Sequence, residues 1–449
     1  MAKLVDHPVL DYVRGLPAYQ QLLEQLREGG FKDQERFGLG LPRSSRLAVL
    51  AGLHIDLKVP VVLLTNRADR ALELYDELSF WLPEGNNLYF PEPNPLFYEN
   101  LPWSQSTRRE RLHVLTELAK YLLPGAEPSA APPVIIAPIR AVMTRSVPRW
   151  DFLRASQRLS LGDQRNLQEL ARSWVGLGYQ YSNIVVQPGQ FSRRGGILDI
   201  WSPAEEMPVR IEFFGNEIDT LKHFDPSTQR TVNALEKTFI FPASEALPMA
   251  AEKKGLLTEG LSEFEIPQLY DFPSSLMDYL PSQTLILLDG EEFVIAAIND
   301  IEEEAVARFQ SLVEQKALPE NFPLPYITWS EIEDSFTHHQ VLELGHTNAF
   351  GLRSLAAAFD PGPRFAGRLK EFQAHLQELE HKGEPWIVVS RQAARLRQLW
   401  QENNPELNTE TAEALFVEGS LSGGWELTLA NGLRHHLLTD SEIFGWGRP

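Results

Sequence analysis

FSRRGGILDIWSPAEEMPVRIEFFGNEIDTLKHFD, residues 191–225, is the stretch from which the fold is read. Two adjacent arginines, Arg193 and Arg194, run into Gly195-Gly196. The apolar run Ile197 to Trp201 has strand character. A proline-containing turn leads to an alternating run, with Val209, Ile211 and Phe213 on one face and Arg210, Glu212 and Phe214 on the other. Gly215 ends that run, and Glu217 to Phe224 forms a third strand. The expectation is a small antiparallel meander with two cations where the chain enters it. Paired arginines on a rigid sheet can bind a carboxylate patch bidentately. The adjacent glycines let a second backbone approach, and Phe191 and Trp201 are the aromatic neighbours that a binding hot spot would use.

Outward from this meander the pattern changes character. Upstream, the helix PAYQQLLEQLREGG (17–30) precedes a loop, a helix from Ser44 to Leu57, a buried strand from Val59 to Thr65 and a helix from Arg67 to Leu82. A short strand, Leu88 to Phe90, leads to a Pro-rich aromatic loop at 91–103, a helix over 106–123 and another buried strand, Val134 to Ala137. Such alternation argues for a parallel sheet covered by helices. From 149 to 247 the pattern is α+β, with a helix from Asn166 to Leu177 ahead of the strands. Residues 250–265 read as helical, and Thr284 to Leu288 is again a buried parallel-type strand, followed by a helix over 291–316 and a strand at Val341 to Leu344. Beyond FDPGPRF (359–365) a helix, the strand Trp386 to Ser390, a helix from Arg391 to Asn403 and strands near 414–417, 425–429 and 433–438 suggest a compact α/β unit. The fold class is therefore α/β: a parallel-sheet domain in two segments, 1–148 and 248–358, with an inserted α+β domain at 149–247 and a small α/β domain at 359–449.

Composition bounds the function. The chain has 449 residues, 43% hydrophobic and 23% charged, enough for several cores. It has no cysteine, which excludes disulfides, zinc thiolates and thiol nucleophiles and fits a reducing cytoplasm. No run approaches the ~18 apolar residues of a membrane helix, and the N-terminus lacks a signal-peptide core. A formal net charge of -20 disfavours a broad duplex-DNA face, because phosphate neutralisation drives such affinity. Any DNA contact would come from a local cluster such as Arg108, Arg109 and Arg111. An acidic surface suits a protein partner better.

One segment sits where a phosphate loop would: GLPRSSRL, residues 40–47. A working loop reads G-x-x-x-x-G-K-[ST], with glycines for backbone wrapping, Lys for the β/γ-phosphates and a hydroxyl for Mg²⁺. Gly40 is kept, but Ser45, Arg46 and Leu47 replace the second Gly, the Lys and the hydroxyl. The matching acidic strand, LILLDG, ends in Asp289. Gly290 stands where a water-polarising Glu is needed, and Glu291 is displaced by one. Both halves of an ATPase site are outlined and chemically defective, which leaves Asp289 without an obvious role. The pairs His338-His339 and His435-His436 diverge on any regular backbone and read as surface residues, not metal ligands.

The ordered pieces GLPRSSRLAVL, VVLLTNRADRALELYDELSFWLP, PVIIAPIRAVMTR, RRGGILDIWSP, FFGNEIDTLKHFDPSTQRT, SSLMDYLP, LLDG and GSLSGGWELTLANGLRHHLLTDSEIFG resemble the N-terminal, UvrB-homology module of bacterial transcription-repair coupling factors. UvrB fits less well, since it keeps an intact phosphate loop and carries a long aromatic hairpin where this chain has only the 91–105 loop. The resemblance implies a degenerate, helicase-like nucleotide domain with no cofactor and no catalytic or metal residues, and an inserted domain that docks UvrA. In the family an RNA-polymerase-binding domain and an ATP-dependent DNA translocase motor follow. Polymerase and DNA would thus be reached through those domains, and the chain, stopping at Pro449, resembles a fragment or the product of a shortened gene. Arg194 matches the family arginine before the Gly, with Arg193 an extra neighbour. The second family arginine, after G-Y, is Gln180 here. Arg194, Arg193, Gln180 and Phe191 are the implied contacts, and Arg194→Glu is expected to weaken docking while sparing the fold. The alternative is an excinuclease-B-like or helicase-like nucleotide-dependent DNA enzyme.

Overall fold

The computed structural model describes residue 4 and residues 8–29, 37–83, 85–345, 353–404, 415–429 and 431–445. Gly30 and the expected strand start at Ala414 lie outside them. Six parallel strands form the first sheet, in the order Phe37–Gly38, Gln340–Glu343, Leu285–Leu288, Val61–Thr65, Val134–Pro138, Asn87–Tyr89. Alternate residues of the central strands enter two cores. Val62, Leu64, Ile135, Ala137, Ile286 and Leu288 face one, and Val61, Leu63, Val134, Ile136, Leu285 and Leu287 the other. Burial on both faces is why these strands read as continuous apolar runs.

The inserted sheet is larger than a three-stranded meander. Its order is Thr231–Leu235, Glu217–Phe224, Val209–Phe214, Ile197–Ile200, Gln190–Arg194, Gln180–Tyr181. Arg193 and Arg194 end a strand of their own, which pairs antiparallel with Ile197–Ile200, with Arg194 opposite Ile197 and Ser192 opposite Asp199. The helix Leu167–Gly176 is capped by the Asn166 side chain and buries Leu170 and Trp174 against the sheet's inner face. A separate pair, Gln157–Ser160 with Lys237–Ile240, closes the insertion.

The helix expected over 250–265 is a correction. Pro248–Lys254 is helical, and Gly255 ends it at φ 71. A 3₁₀ turn, Glu263–Glu265, and the short helix Ile266–Leu269 follow, because the Ser262–Glu265 capping box starts a new turn there.

Residues from 359 onward form a five-stranded mixed sheet, in the order Phe359–Asp360, Trp425–Thr428, Arg434–Thr439, Trp386–Ser390, Phe416–Glu418. This unit has a core of its own. It also sends Ile387, Val389, Leu427 and Leu437 into the core that holds Val61 and Leu63. The histidine pairs are corrected as well. His339, His435 and His436 are buried. His435 lies beside the Tyr12 and Trp425 rings, and His436 lies between Glu384 and Glu426, 3.1 and 3.4 Å away.

Candidate docking face and a closed nucleotide-like site

The loop at Gly40–Leu47 enters the helix Arg46–Leu57 through the 3₁₀ turn Arg43–Ser45. Gly40 has φ 67, the left-handed conformation a glycine tolerates. Ser45 is buried, and its hydroxyl donates to Pro42 O at 3.0 Å rather than to anything outside the loop. Leu47 is buried in the apolar core. Arg46 turns back across the end of the sheet: Nη1 reaches Asp289 Oδ1 at 2.6 Å, and Nε donates to Leu41 O at 3.2 Å.

Asp289 therefore has a role that its sequence context did not reveal. Its other oxygen accepts from Arg70 Nε at 2.8 Å. Burial works against the charge of Arg70, but the Asp289 carboxylate, with Glu73 beside it, more than offsets this, so the group stays cationic. Glu343, on the adjacent strand, takes the backbone N–H of Glu291 at 2.7 Å and of Gly345 at 2.6 Å. A Cβ on Gly345 would stand 2.1 Å from Arg46 Nη2, so the guanidinium fills the space against that backbone. The 419–424 segment adds a lid: Ser422 donates its N–H and hydroxyl to Glu77 at 3.0 and 3.2 Å, and Gly423 packs over Ser44. A lysine-to-arginine change was visible in sequence, whereas Arg70 and Glu343 carried no motif signal.

On the inserted sheet, Arg194, Ile197, Asp199, Arg210 and Glu212 share the outer face by register. Asp199 is 1% exposed at its side chain. It accepts from Arg194 Nη2 at 2.8 Å and from Arg210 Nε and Nη2 at 2.7 and 3.0 Å. Arg210 also covers the Phe224 ring, 4.6 Å from its centroid. Arg194 keeps 48% of its side chain exposed. The paired-arginine expectation is corrected here: adjacent strand residues point to opposite faces, so Arg193 lies with Leu198 on the other side and cannot converge with Arg194. Phe191 is also corrected. It is 3% exposed and packs edge-on to Trp174 and Tyr181, so it supports the sheet from within. Trp201 donates its ring N–H to Glu205 O at 2.9 Å, which holds the turn that follows.

Gln180 is exposed and registers with Gln190 at the far end of the strand from Arg194. It lines a cleft of about 1200 Å³ between the insertion and the helix Gln105–Lys120, together with Arg108 and Arg109. The arginine cluster of that helix is not a joint cation site. Arg111 is fully buried, paired with Glu245 at 2.7 Å and stacked on Phe90 and Trp103. Arg108 is tied to Glu263 at 2.9 Å, and Arg109 is exposed.

A mainly antiparallel platform inserted into a parallel-sheet unit defines the class, and residues 158–245 match the family described as the UvrB interaction domain. Over a longer span the chain is similar to proteins named transcription-repair-coupling factor. One from Bacillus subtilis is 27% identical over 332 residues, 65% of this chain and 27% of that protein. One from Myxococcus xanthus is 32% identical over 240 residues, 52% and 19% of the two chains. One from Staphylococcus haemolyticus is 22% identical over 497 residues, covering 97% and 40%. The resemblance to the UvrB-homology module of these factors is upheld, and the chain spans less than half the length of these curated relatives.

Proposed function

We propose that this chain is a non-catalytic adaptor of transcription-coupled repair: the inserted platform docks UvrA, and the longer protein of which it would be part engages stalled RNA polymerase and DNA through further domains, including an ATP-driven translocase. Its setting is the cytoplasm. Three units carry the division of labour: 1–148 with 248–358 as scaffold, 149–247 as docking platform and 359–449 as a buttress. The observation that carries the docking reading is the match of residues 158–245 to the UvrB interaction domain, on whose outer face Arg194 stands half exposed and anchored by a buried carboxylate. An anchored guanidinium loses little rotamer freedom on binding, so more of each new hydrogen bond appears as affinity.

The absence of nucleotide chemistry is part of the same proposal. Arg46 and Arg70 occupy the acidic partner that Mg²⁺ would need, and Leu47 supplies no hydroxyl. This argues against the helicase-like alternative. Titration of UvrA against the chain tests the docking reading: saturable binding at micromolar or lower Kd is expected, and no detectable binding would end it. Among the described residues no helix is long and apolar enough to cross a membrane.

A further inference from the structure

A cavity of about 470 Å³ opens between the helix Ile266–Leu269 and the loop 319–323. None of its described lining residues belongs to the inserted platform. Pro267, Pro319, Phe322 and Pro323 give it apolar walls. These walls are held from behind. Phe322 is buried and packs on Phe264 and Tyr98, with ring centroids 5.2 and 6.2 Å apart. Its N–H donates to Pro319 O at 3.0 Å, which closes the loop on itself. Further along, Arg145 N–H donates to Pro325 O at 3.2 Å and Ile327 N–H to Met143 O at 2.8 Å. The loop is thus stitched to the segment that follows the helix Ile139–Met143.

Among the described lining residues Arg145 is the one cation. Its side chain is half-buried, and Nε is enclosed without an acceptor. Arg46, Arg70, Arg111, Arg140 and Arg210 each meet a carboxylate within 3.3 Å, whereas Arg145 meets none among the described residues. The acids that could answer it are committed elsewhere. Glu331 takes the N–H and hydroxyl of Thr328 at 2.7 and 2.9 Å. Asp271, the one acid of the described lining, pairs with Lys254. Burial pulls the Arg145 pKa below the usual arginine value, and the through-space influence of Glu331 and Tyr98 only partly offsets it. A desolvated cation without a counter-charge works against folding. Gln268 and Asn321 add side-chain amides that have no partner among the described residues. Tyr270 adds nothing polar, because its hydroxyl is taken by Glu245 O and Leu247 N–H at 2.7 and 3.3 Å.

We propose that this cavity binds a small monocarboxylic acid with an aromatic or branched apolar body, its carboxylate on the Arg145 guanidinium and its body between the proline walls. The volume lies within the ~300–1,000 Å³ of small-molecule sites. A planar guanidinium offers parallel N–H donors that match a carboxylate. A phosphate dianion or a nucleotide would bring further charge to a lining with one cation, in a chain of net charge -20. The test is a fluorine NMR titration of the chain with para-fluorophenylacetate and with its neutral amide, followed by displacement with inorganic phosphate. Wild type, Arg145→Met and Arg145→Lys are compared, with thermal melts of each. Saturable binding of the acid in the ~millimolar range or tighter is expected from so few atoms. The amide should bind at least ~tenfold more weakly, as should the acid to Arg145→Met, because each loses a charge-assisted hydrogen bond. Without ligand, Arg145→Met should melt no lower than wild type, since it removes a desolvated charge that has no counter-charge; a purely structural arginine would lower the melt instead. Arg145→Lys keeps the charge and loses the fork, so it should fold and bind the acid more weakly than wild type, which decides the matter if the methionine variant does not fold. No binding at ~10 mM acid, equal affinity for acid and amide, or undiminished affinity in a folded Arg145 variant overturns the proposal. Displacement of the probe by equimolar phosphate overturns the choice of a carboxylate. Tighter binding of a blocked acidic peptide, acetyl-Pro-Phe-Asp-amide, than of the free acid assigns the cavity to a polypeptide and overturns the small ligand.

Discussion

Asp199 is a buried carboxylate shared by two arginines, and that fixes how substitutions at Arg194 should be read. Arg194→Glu would set a second carboxylate against Asp199, so charge reversal disturbs the fold as well as the surface and the expectation that it spares folding is withdrawn. Arg194→Ala is the cleaner probe, since Arg210 still holds Asp199 through two hydrogen bonds. It should weaken UvrA by about 2 kcal/mol, mostly in the off-rate, with a melting temperature close to wild type. Surface plasmon resonance with parallel melts checks both. Asp289 behaves differently because both of its partners are largely buried. Asp289→Ala leaves Arg46 and Arg70 without their counter-charge and should cost about 3 kcal/mol of stability in urea titrations. Adding Arg46→Met should recover part of that loss. At this scale, legibility in the sequence followed motif spacing. Arg46 was readable because a lysine belongs at its position in a phosphate loop, and Arg194 because glycines follow it. Asp199 and Arg70 were not, because neither the lone charge in ILDIW nor the last arginine of NRADR shows its long-range partner until the chain folds. Phe191 misled because aromatic type alone does not tell core from surface.

Helices and strands were most legible where burial is two-sided or a cap is explicit. Trp386–Ser390 agrees residue for residue, and Leu369–Lys382 ends at Gly383 with φ 68, the left-handed stop that glycine favours. Two-residue edge strands such as Phe37–Gly38 and Gln180–Tyr181 carry too few residues for a period and were not read. The helix Arg46–Leu57 ends on exposed Lys58, held left-handed at φ 54 and ψ 43. Lys58→Gly relieves that conformation and should stabilise the chain by roughly 0.5–1 kcal/mol, visible as a rise in melting temperature. At Gly424 the opposite holds: a Cβ would meet Leu437 O at 2.1 Å, so Gly424→Ala should destabilise by about 2 kcal/mol or more. Two histidines add a pH term. Burial lowers the pKa of His54, and burial together with nearby His436 lowers that of His375. The unfolded chain then takes up protons near pH 6.5 where the folded chain does not, so stability should fall as pH drops below about 6.5. Melts at pH 7.5 and 5.5 should differ in that direction, and a His54→Leu variant should lose part of the difference.

The whole molecule has an acidic balance of -20 and no joint arginine site on the helix Gln105–Lys120, since Arg111 is committed to Glu245. Duplex DNA should therefore bind weakly and be released by ~200 mM salt in gel shifts. Calorimetry with Mg-ATP should show no heat of binding at high micromolar nucleotide. The core that holds Val61 and Leu63 also holds Ile387, Val389 and Leu437, and Ser422 is bonded to Glu77. The first sheet and the last unit are thus expected to melt in one calorimetric transition, although the sequence suggested a separate domain from 359 onward. Switch proteins built on this sheet type sense the cell's energy charge, because ATP and ADP exchange at the gap between loop and acidic strand. Here the species in that gap is a side chain of the same polypeptide, at a local concentration that metabolism cannot alter. On the proposed reading, presentation of the docking platform is as ready in a starved cell as in a fed one, and any gating must come from what covers its outer face.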